Sequence, residues 1–452
     1  MSTDKSTQAH SGRSLLKQGS IVSLGVLSSR ALGFFRDVLL AHFLGTGLVA
    51  EAFLVAQRIP NLLRDLVGEG AANAAIVPVV AQYQEKNSRE ALFDLINVVM
   101  AWGVIILSGI TLLGIICAGP IVHVMAPGFA HDYLKYQLTV DLTRIMFPYL
   151  ILIALTAFQT GILYAMRSFF APAFGPCLLN VAMILSVWVA CVFSKDMAYA
   201  LSLGVLVGGV LQFGAQWLAL RRLGVHWKWP RSLKHDGARK ILSLLLPRLW
   251  GSGVYQVNMI VDTFCASLAV VVGDGGVAAL YYANRIILFP LGVFGYAATS
   301  VSLPSLSKIA ASGDMKKFKE TVLFALRNLT LVLIVFTVIF LFGAQWIIHL
   351  VFERGAFDAY STHITAQVLF FSAVGLPFYG MARILASAFY ALHDTKTPVK
   401  SAAICLGINV FLNVILMFPF KVGGIALASS IASMANTWML WTQLNKKLNN
   451  SL

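Results

Sequence analysis

The sequence predicts an all-α polytopic membrane protein of about twelve transmembrane helices in two six-helix lobes. Hydrophobic residues make up 58% of the 452 and charged residues 12%, with a mean hydropathy of +0.79, a balance foreign to water-soluble chains of this size. The apolar residues gather in windows of about 20, the length that crosses a bilayer as helix. The windows are too long and too evenly apolar for alternating barrel strands, so helices are the spanning form.

The expected spans are 19–44, 49–82, 92–118, 137–166, 172–194 and 198–220, then 241–270, 277–307, 321–351, 361–392, 397–419 and 422–444. Before Ile21 the chain is polar, with no cleavable signal peptide expected. The net charge of +15 invites a nucleic-acid partner, but the distribution of the 34 Lys and Arg argues for topology instead. With a cytoplasmic N-terminus, most fall in the tails and the loops on that side. The opposite loops hold only Lys135, Lys195, Arg354 and Lys421. This is the positive-inside pattern, and it predicts both termini in the cytoplasm, basic loops facing the phospholipid bilayer, and no nucleic acid.

The basic stretch Arg221–Lys240 contains seven Lys or Arg plus Pro230 and Gly237, and divides the spans six and six. The expected organisation is an N-terminal lobe at 14–222, a basic cytoplasmic linker at 223–240 and a C-terminal lobe at 241–447. The halves echo one another. Ala56-Gln57-Arg58-Ile59 resembles Ala283-Asn284-Arg285-Ile286, and Tyr164-Ala165, eight residues before Pro172, is matched by Tyr390-Ala391, eight before Pro398. With six spans each, the repeats start on the same side and are parallel, an arrangement suited to alternating access. Spans two and eight also look broken, the first at Pro60, Gly68, Gly70 and Pro78 and the second at Pro290, Gly292, Gly295 and Pro304. Such residues free backbone groups at a cavity, and kinking for packing explains them as well. Gly204 and Gly208 have the spacing of close helix packing.

Against this apolar background, Arg30 and Arg36 in the first span and Arg58 and Arg64 in the second stand out. Each arginine at a helix centre costs about 2.5–3.5 kcal/mol, so the four cost roughly 10–14 kcal/mol, comparable to a protein's whole stability. They point either to a cationic cavity for an anionic substrate or to arginines neutralised in private pairs with Asp37, Asp65 and Glu69. Asn61, Arg64, Asp65 and Gly68 share one helix face, which should look into a cavity. Arg36 lies about 120° around the helix from Arg30, so the two serve different surroundings. Arg285 adds a charge from the second half. Guanidiniums converging from both lobes would suit a pyrophosphate, since each planar fork makes paired hydrogen bonds and stays ionised.

No nucleophile elbow, zinc helix, P-loop or dinucleotide fingerprint occurs, so no enzyme activity is expected. The five cysteines lie in apolar spans with no C-x-x-C pair and read as small buried hydrophobes. The histidines near the outer loops read as solvated.

Several strings carry a family resemblance. Ser29-Arg30-Ala31-Leu32-Gly33-Phe34-Phe35-Arg36-Asp37, Ile59-Pro60-Asn61-Leu62-Leu63-Arg64 and Gly68-Glu69-Gly70-Ala71 resemble the opening of the MurJ (MviN) lipid II flippases of the MOP transporter superfamily. Met125-Ala126-Pro127-Gly128-Phe129, Thr143-Arg144-Ile145-Met146-Phe147-Pro148-Tyr149, Tyr281-Tyr282-Ala283-Asn284-Arg285, Arg354-Gly355-Ala356-Phe357 and Asp394-Thr395-Lys396-Thr397-Pro398 continue it in order over nearly the whole chain.

The resemblance implies a V-shaped pair of six-helix lobes around a cationic cavity. The cargo it implies is lipid II, the undecaprenyl-diphosphate-linked peptidoglycan precursor, expected to move from the inner to the outer leaflet of the bacterial cytoplasmic (inner) membrane. Roles in peptidoglycan and cell-wall biogenesis and cell shape follow, with cell-wall synthesis proteins as partners. The resemblance assigns substrate-binding roles to Arg30, Arg36, Arg64, Arg285 and Glu51, to which position adds Arg58, Asn61 and Glu69. Asp is common in the family where this chain has Glu51 and Asn284, and the sequence ends after twelve expected spans where members typically have two more beside the lipid tail. Some members hold a sodium ion, and Asp262, Asn409, Asn413 and Ser429 are the matching oxygen donors. A hydrogen-bonded helix contact explains that set too, because a single carboxylate binds a hard cation weakly. No other cofactor is expected. The alternatives are a flippase for another lipid-linked oligosaccharide, another MOP-type exporter, a membrane-embedded transferase and a membrane scaffold for envelope assembly.

Overall fold

The computed structural model describes residues 3–68, 71–193 and 196–449, and the side chains among them except at 3–18, 63, 65–68, 71 and 247–255. The described residues are helical, with no strand. The first half contains α1 (Thr3–Leu44), α2 (Leu48–Gly68), α3 (Ala71–Lys86), α4 (Arg89–Ile116), α5 (Ala118–Met125), α6 (Tyr133–Met146), α7 (Tyr149–Ala165), α8 (Phe170–Val192) and α9 (Met197–Arg222). The second contains α10 (Asp236–Ser267), α11 (Ala269–Val272), α12 (Gly276–Pro290), α13 (Tyr296–Ser312), α14 (Met315–Phe352), α15 (Ala359–Ala391), α16 (Lys396–Phe420) and α17 (Val422–Asn449). Helix lies at every one of the twelve expected segments, and eight stretches of the described residues are long and apolar enough to cross a membrane. The arginine-bearing α1 and α2 are not among those eight. Cys265 and Cys405 are buried as expected, whereas Cys117 and Cys191 are exposed, because they lie on outward faces of apolar helices.

The chain forms two compact units. Unit 1 comprises Met1–Leu39, Ala56–Val122 and Gln137–Ser252, and unit 2 comprises Leu40–Val55, His123–Tyr136 and Gly253–Leu452. In unit 1, α7 packs on α3, α4 and α9, and α8 packs on α9. Its core joins Ile76, Val79, Leu95, Val99, Leu155 and Ile162 with Val225 and Ala238 of the basic stretch. That stretch is tied down by hydrogen bonds as well. Trp102 Nε1 donates to the Leu233 carbonyl at 3.0 Å, Arg89 Nη2 to the Leu223 carbonyl at 2.8 Å, and the Lys228 N–H to Asn97 Oδ1 at 3.2 Å. The G-x-x-x-G expectation holds, since a Cβ at Gly204 would meet Ser186 Oγ at 2.4 Å and one at Gly208 the Leu179 Cα at 2.8 Å. In unit 2, α15 is central and packs on α12, α13, α14 and α17, with α16 against α17. Tyr282, Phe352 and Phe357 form a buried aromatic cluster there.

The internal echo has a backbone counterpart. After α7 the Arg167 N–H bonds to the Tyr164 carbonyl and the Ser168 N–H to Leu163, and after α15 His393 bonds to Tyr390 and Asp394 to Phe389 in the same pattern. Arg167 and His393 are left-handed, at φ 59° and 58°, so both helices end in a Schellman turn without glycine. Of the two expected breaks, the first falls at residues 69–70, outside the described residues, whereas in the second α12 passes into α13 through a π turn at Leu291–Gly295. A π turn inside a helix is a frequent mark of function.

Candidate substrate-binding site

In unit 1 the arginines differ in surroundings, as their angular spacing predicts. Arg30 is exposed, whereas Arg36 is 9% exposed. Arg36 Nε and Nη2 both donate to Asp37 Oδ1, at 3.0 and 2.7 Å, and Nη1 donates to Asn180 Oδ1 at 3.0 Å. Asn180 is in turn oriented by donating to the Ser29 carbonyl at 3.1 Å. A buried guanidinium without such partners carries a large desolvation cost, which Asp37 and Asn180 offset. Arg36 therefore has the private carboxylate that argues for a structural role. Arg58 and Asn61 are half-buried on α2. Glu69 lies outside the described residues, as does the Asp65 side chain.

Arg64, half-buried on the same helix, lines a cavity of about 310 Å³ within unit 1 together with Asn73 of α3, Thr156 and Thr160 of α7, and Gln212 and Gln216 of α9. The glutamines are four residues apart and so share a helix face. Gly175 of α8 lets them approach, because a Cβ there would sit 3.2 Å from Gln212 Cγ and 3.4 Å from Gln216 Nε2. A single cation among neutral amides and hydroxyls, inside an apolar bundle, can hold an anionic group while offering hydrogen bonds to its polar neighbours.

Unit 2 holds the remaining predicted residues. Glu51 is 2% exposed, takes an ion pair from Lys135, and accepts a 2.8 Å hydrogen bond from the Val277 N–H in the first turn of α12. The ammonium of Lys135 also lies 4.2 Å from the Phe129 ring centroid. Lys135 was expected in a loop but is 6% exposed, because the carboxylate of Glu51 compensates its charge. Arg285 is half-buried, stacks 4.5 Å from the Tyr281 ring centroid and donates to the Tyr281 hydroxyl at 2.8 Å.

The structure brings together all four expected oxygen donors of the sodium set. Asn413 Nδ2 donates to Asp262 Oδ1 at 2.9 Å and to Asn409 Oδ1 at 3.0 Å. Asn409 Nδ2 donates to Ser429 Oγ at 3.0 Å, and Ser429 Oγ to Asp262 Oδ2 at 3.3 Å. Asn258 adds a 3.3 Å hydrogen bond to Asp262. Buried Asn413 Oδ1 has no hydrogen-bond partner, so the cluster has a spare oxygen of the kind a hard cation needs. Among the described residues no group of three His, Cys, Asp or Glu forms a metal site.

Sequence reasoning missed Lys135, Asn180, Asn73, Gln212 and Gln216. For the four amides the available signal was their presence inside apolar spans, where each costs free energy unless something bonds to it.

Two helical units with arginines and amides inside apolar helices define a multi-pass membrane protein with polar groups inside its bundles. Comparison with known proteins narrows the class. The model of the family described as lipid II flippase MurJ matches residues 40–451. A probable lipid II flippase MurJ of Rhizobium tropici is 36% identical, with 96% of this chain and 81% of that protein aligned. The lipid II flippase MurJ of Burkholderia cenocepacia is 34% identical over 94% and 83% of the respective chains. A solved structure of lipid II flippase MurJ in an inward closed conformation superposes with a TM-score of 0.82 at 29% identity, covering 94% of this chain and 87% of the other. An inward-facing MATE multidrug-resistance transporter of the MOP superfamily gives 0.73 at 13% identity over 94% and 95%, a likeness of fold alone. The chain belongs to the MurJ lipid II flippase family.

Proposed function

We propose that this protein is a lipid II flippase. It takes the undecaprenyl-diphosphate-linked peptidoglycan precursor from the inner leaflet of the bacterial cytoplasmic membrane and presents it at the outer leaflet by alternating access. The observation that carries this reading beyond family membership is Arg64, an intramembrane guanidinium on the wall of a polar cavity. A lipid diphosphate needs that combination, a cation with neutral hydrogen-bonding groups around it, while its tail stays in lipid. Arg30, Arg58 and Asn61 of unit 1 and Arg285 of unit 2 are assigned further contacts with the headgroup in this reading, as is Glu69. Arg36 and Glu51 act one step back, holding α1 and the start of α2 in place through their own ion pairs.

Both termini face the cytoplasm in this reading, which the basic residues of the tails and linker support. An inside-negative potential then favours outward movement of anionic cargo by about 2.3 kcal/mol per charge per 100 mV, so no nucleotide hydrolysis is required. A sodium ion in unit 2 would be held by Asp262, Asn409, Asn413 and Ser429, and the orphaned Asn413 Oδ1 supports that set. The ion would stabilise the packing of α10, α16 and α17.

Arg64→Ala is the direct test. Lipid II accessible at the outer leaflet should fall at least tenfold, with the variant present in the membrane at normal abundance. Undiminished export by that variant overturns the role given to the cavity.

A further inference from the structure

Two acceptors beside Arg64 have no donor. Gln212 is 6% exposed and its Oε1 has no hydrogen-bond partner, and the buried Asn73 Oδ1 has none either. Gln216 differs, because its Oε1 already accepts from Thr160 Oγ1 at 3.0 Å. All three line the cavity of unit 1. Unpaired amide oxygens in a low-dielectric site are costly, and they are satisfied only by O–H or N–H groups. A phosphate is acceptor-only when ionised and cannot do it, nor can a polyprenyl tail. Water can supply the missing donors in the empty site, and of the parts of a lipid-diphosphate cargo only a hydroxyl- or amide-bearing group can do so.

We propose that this cavity is the saccharide subsite of the flippase, in which Gln212 and Asn73 accept hydrogen bonds from the hydroxyl or amide N–H groups of one N-acylated hexose unit of the cargo. The inference rests on the lipid-diphosphate reading given above. Size selects a single sugar: about 310 Å³ is at the bottom of the range for small-molecule sites, so a disaccharide bearing a peptide does not fit inside. Adjacency selects the sugar joined to the diphosphate, since Arg64 lines the same cavity and the peptide is several bonds farther from the group a guanidinium recognises. Pro172 and Pro176 of α8 give the cavity an apolar wall against which a ring face can lie. Before cargo enters, water can occupy a polar site of this kind. Arg64 thus supplies charge recognition, and the amides supply selectivity for what the diphosphate carries.

The test measures binding of two probes to the purified full chain: short-chain lipid II, and the matching prenyl diphosphate without sugar. Gln212→Met keeps the shape and removes the acceptor. It should weaken short-chain lipid II at least tenfold and leave the sugar-free probe within twofold. Asn73→Leu, on a different helix, should show the same split and decides the matter if Gln212→Met does not fold. Arg64→Ala should weaken both probes. Equal losses for both probes in the amide variants, or no loss for either, overturn the saccharide subsite. Wild-type protein that binds the two probes equally also overturns it, while leaving the diphosphate reading standing. Wild-type protein that binds neither overturns the functional reading itself.

Discussion

Replacing Lys135 by Met strands a carboxylate. Glu51 is 2% exposed, and its remaining partners, the Val277 N–H at 2.8 Å and the Ala278 N–H, are those of a helix N-terminus with a partial charge. Breaking a buried ion pair by removing one partner costs about 3–5 kcal/mol, because the other charge remains desolvated. Glu51→Gln should cost less, since the stranded ammonium keeps the Phe129 ring at 4.2 Å and the new amide can still accept from Val277. The double variant Glu51→Gln/Lys135→Met contains no charge, and neutral isosteres of buried pairs are often as stable as the originals. The cycle should therefore be strongly non-additive, with the double variant more stable than Lys135→Met alone. Thermal unfolding of the four purified proteins in one detergent measures it. Additive losses, with the double variant the least stable of the four, would refute the claim that the two side chains stabilise each other.

Sodium should raise the unfolding temperature relative to potassium in wild type and not in Asp262→Asn; with one carboxylate in the set, the gain should stay under the roughly 2.7 kcal/mol that a hundredfold excess over the dissociation constant gives. Asp394 is held well below the usual carboxylate range, at about 2, chiefly by the hydrogen bond from Lys447 and then by the Thr397 N–H and hydroxyl. A depressed folded-state value means its contribution is complete above about pH 4 and is lost as pH falls toward 2; since Lys447 is 42% exposed, the contribution is no more than about 1 kcal/mol, and the gap between wild type and Asp394→Asn should close over that window. Arg167→Gly and His393→Gly should each leave stability unchanged or raise it by up to about 1 kcal/mol, because relief of the left-handed strain exceeds the entropy glycine adds to the unfolded chain; a loss above 1 kcal/mol at either site, read by thermal unfolding, contradicts the turn assignment.

The helical segments were legible because lipid leaves a chain few options. A run of apolar residues long enough to cross must be helix, and the windows at 92–118, 172–194, 198–220, 321–351, 397–419 and 422–444 correspond to long apolar helices. The internal echo was legible for a local reason too: Tyr164-Ala165 and Tyr390-Ala391 precede the same Schellman turn, whose hydrogen bonds span six residues and leave a short sequence trace. The pattern of Pro and Gly located the interruption in the second half but not its kind. Whether such a span ends or absorbs one π turn, as at Leu291–Gly295, depends on what packs beside it.

The site was legible as charge and illegible as pairing. Arg36 and Arg64 look alike in sequence, each an arginine in an apolar span with an aspartate next to it. What the sequence does not show is Asn180, 144 residues downstream, which gives Arg36 a second hydrogen-bonding partner beside Asp37 and makes it part of the scaffold. Glu51 and Lys135 are 84 residues apart and meet only because 40–55 and 123–136 fold into the same unit. No periodicity carries such information, since each contact is set by the packing of several helices at once. The polar residues of α9 illustrate the converse. Gln212 and Gln216 are inconspicuous beside arginine, yet one has its oxygen bonded to Thr160 and the other has an oxygen facing a cavity with nothing to bond. In a medium where every unmet hydrogen bond is costly, that difference distinguishes a residue that holds helices together from one kept for cargo.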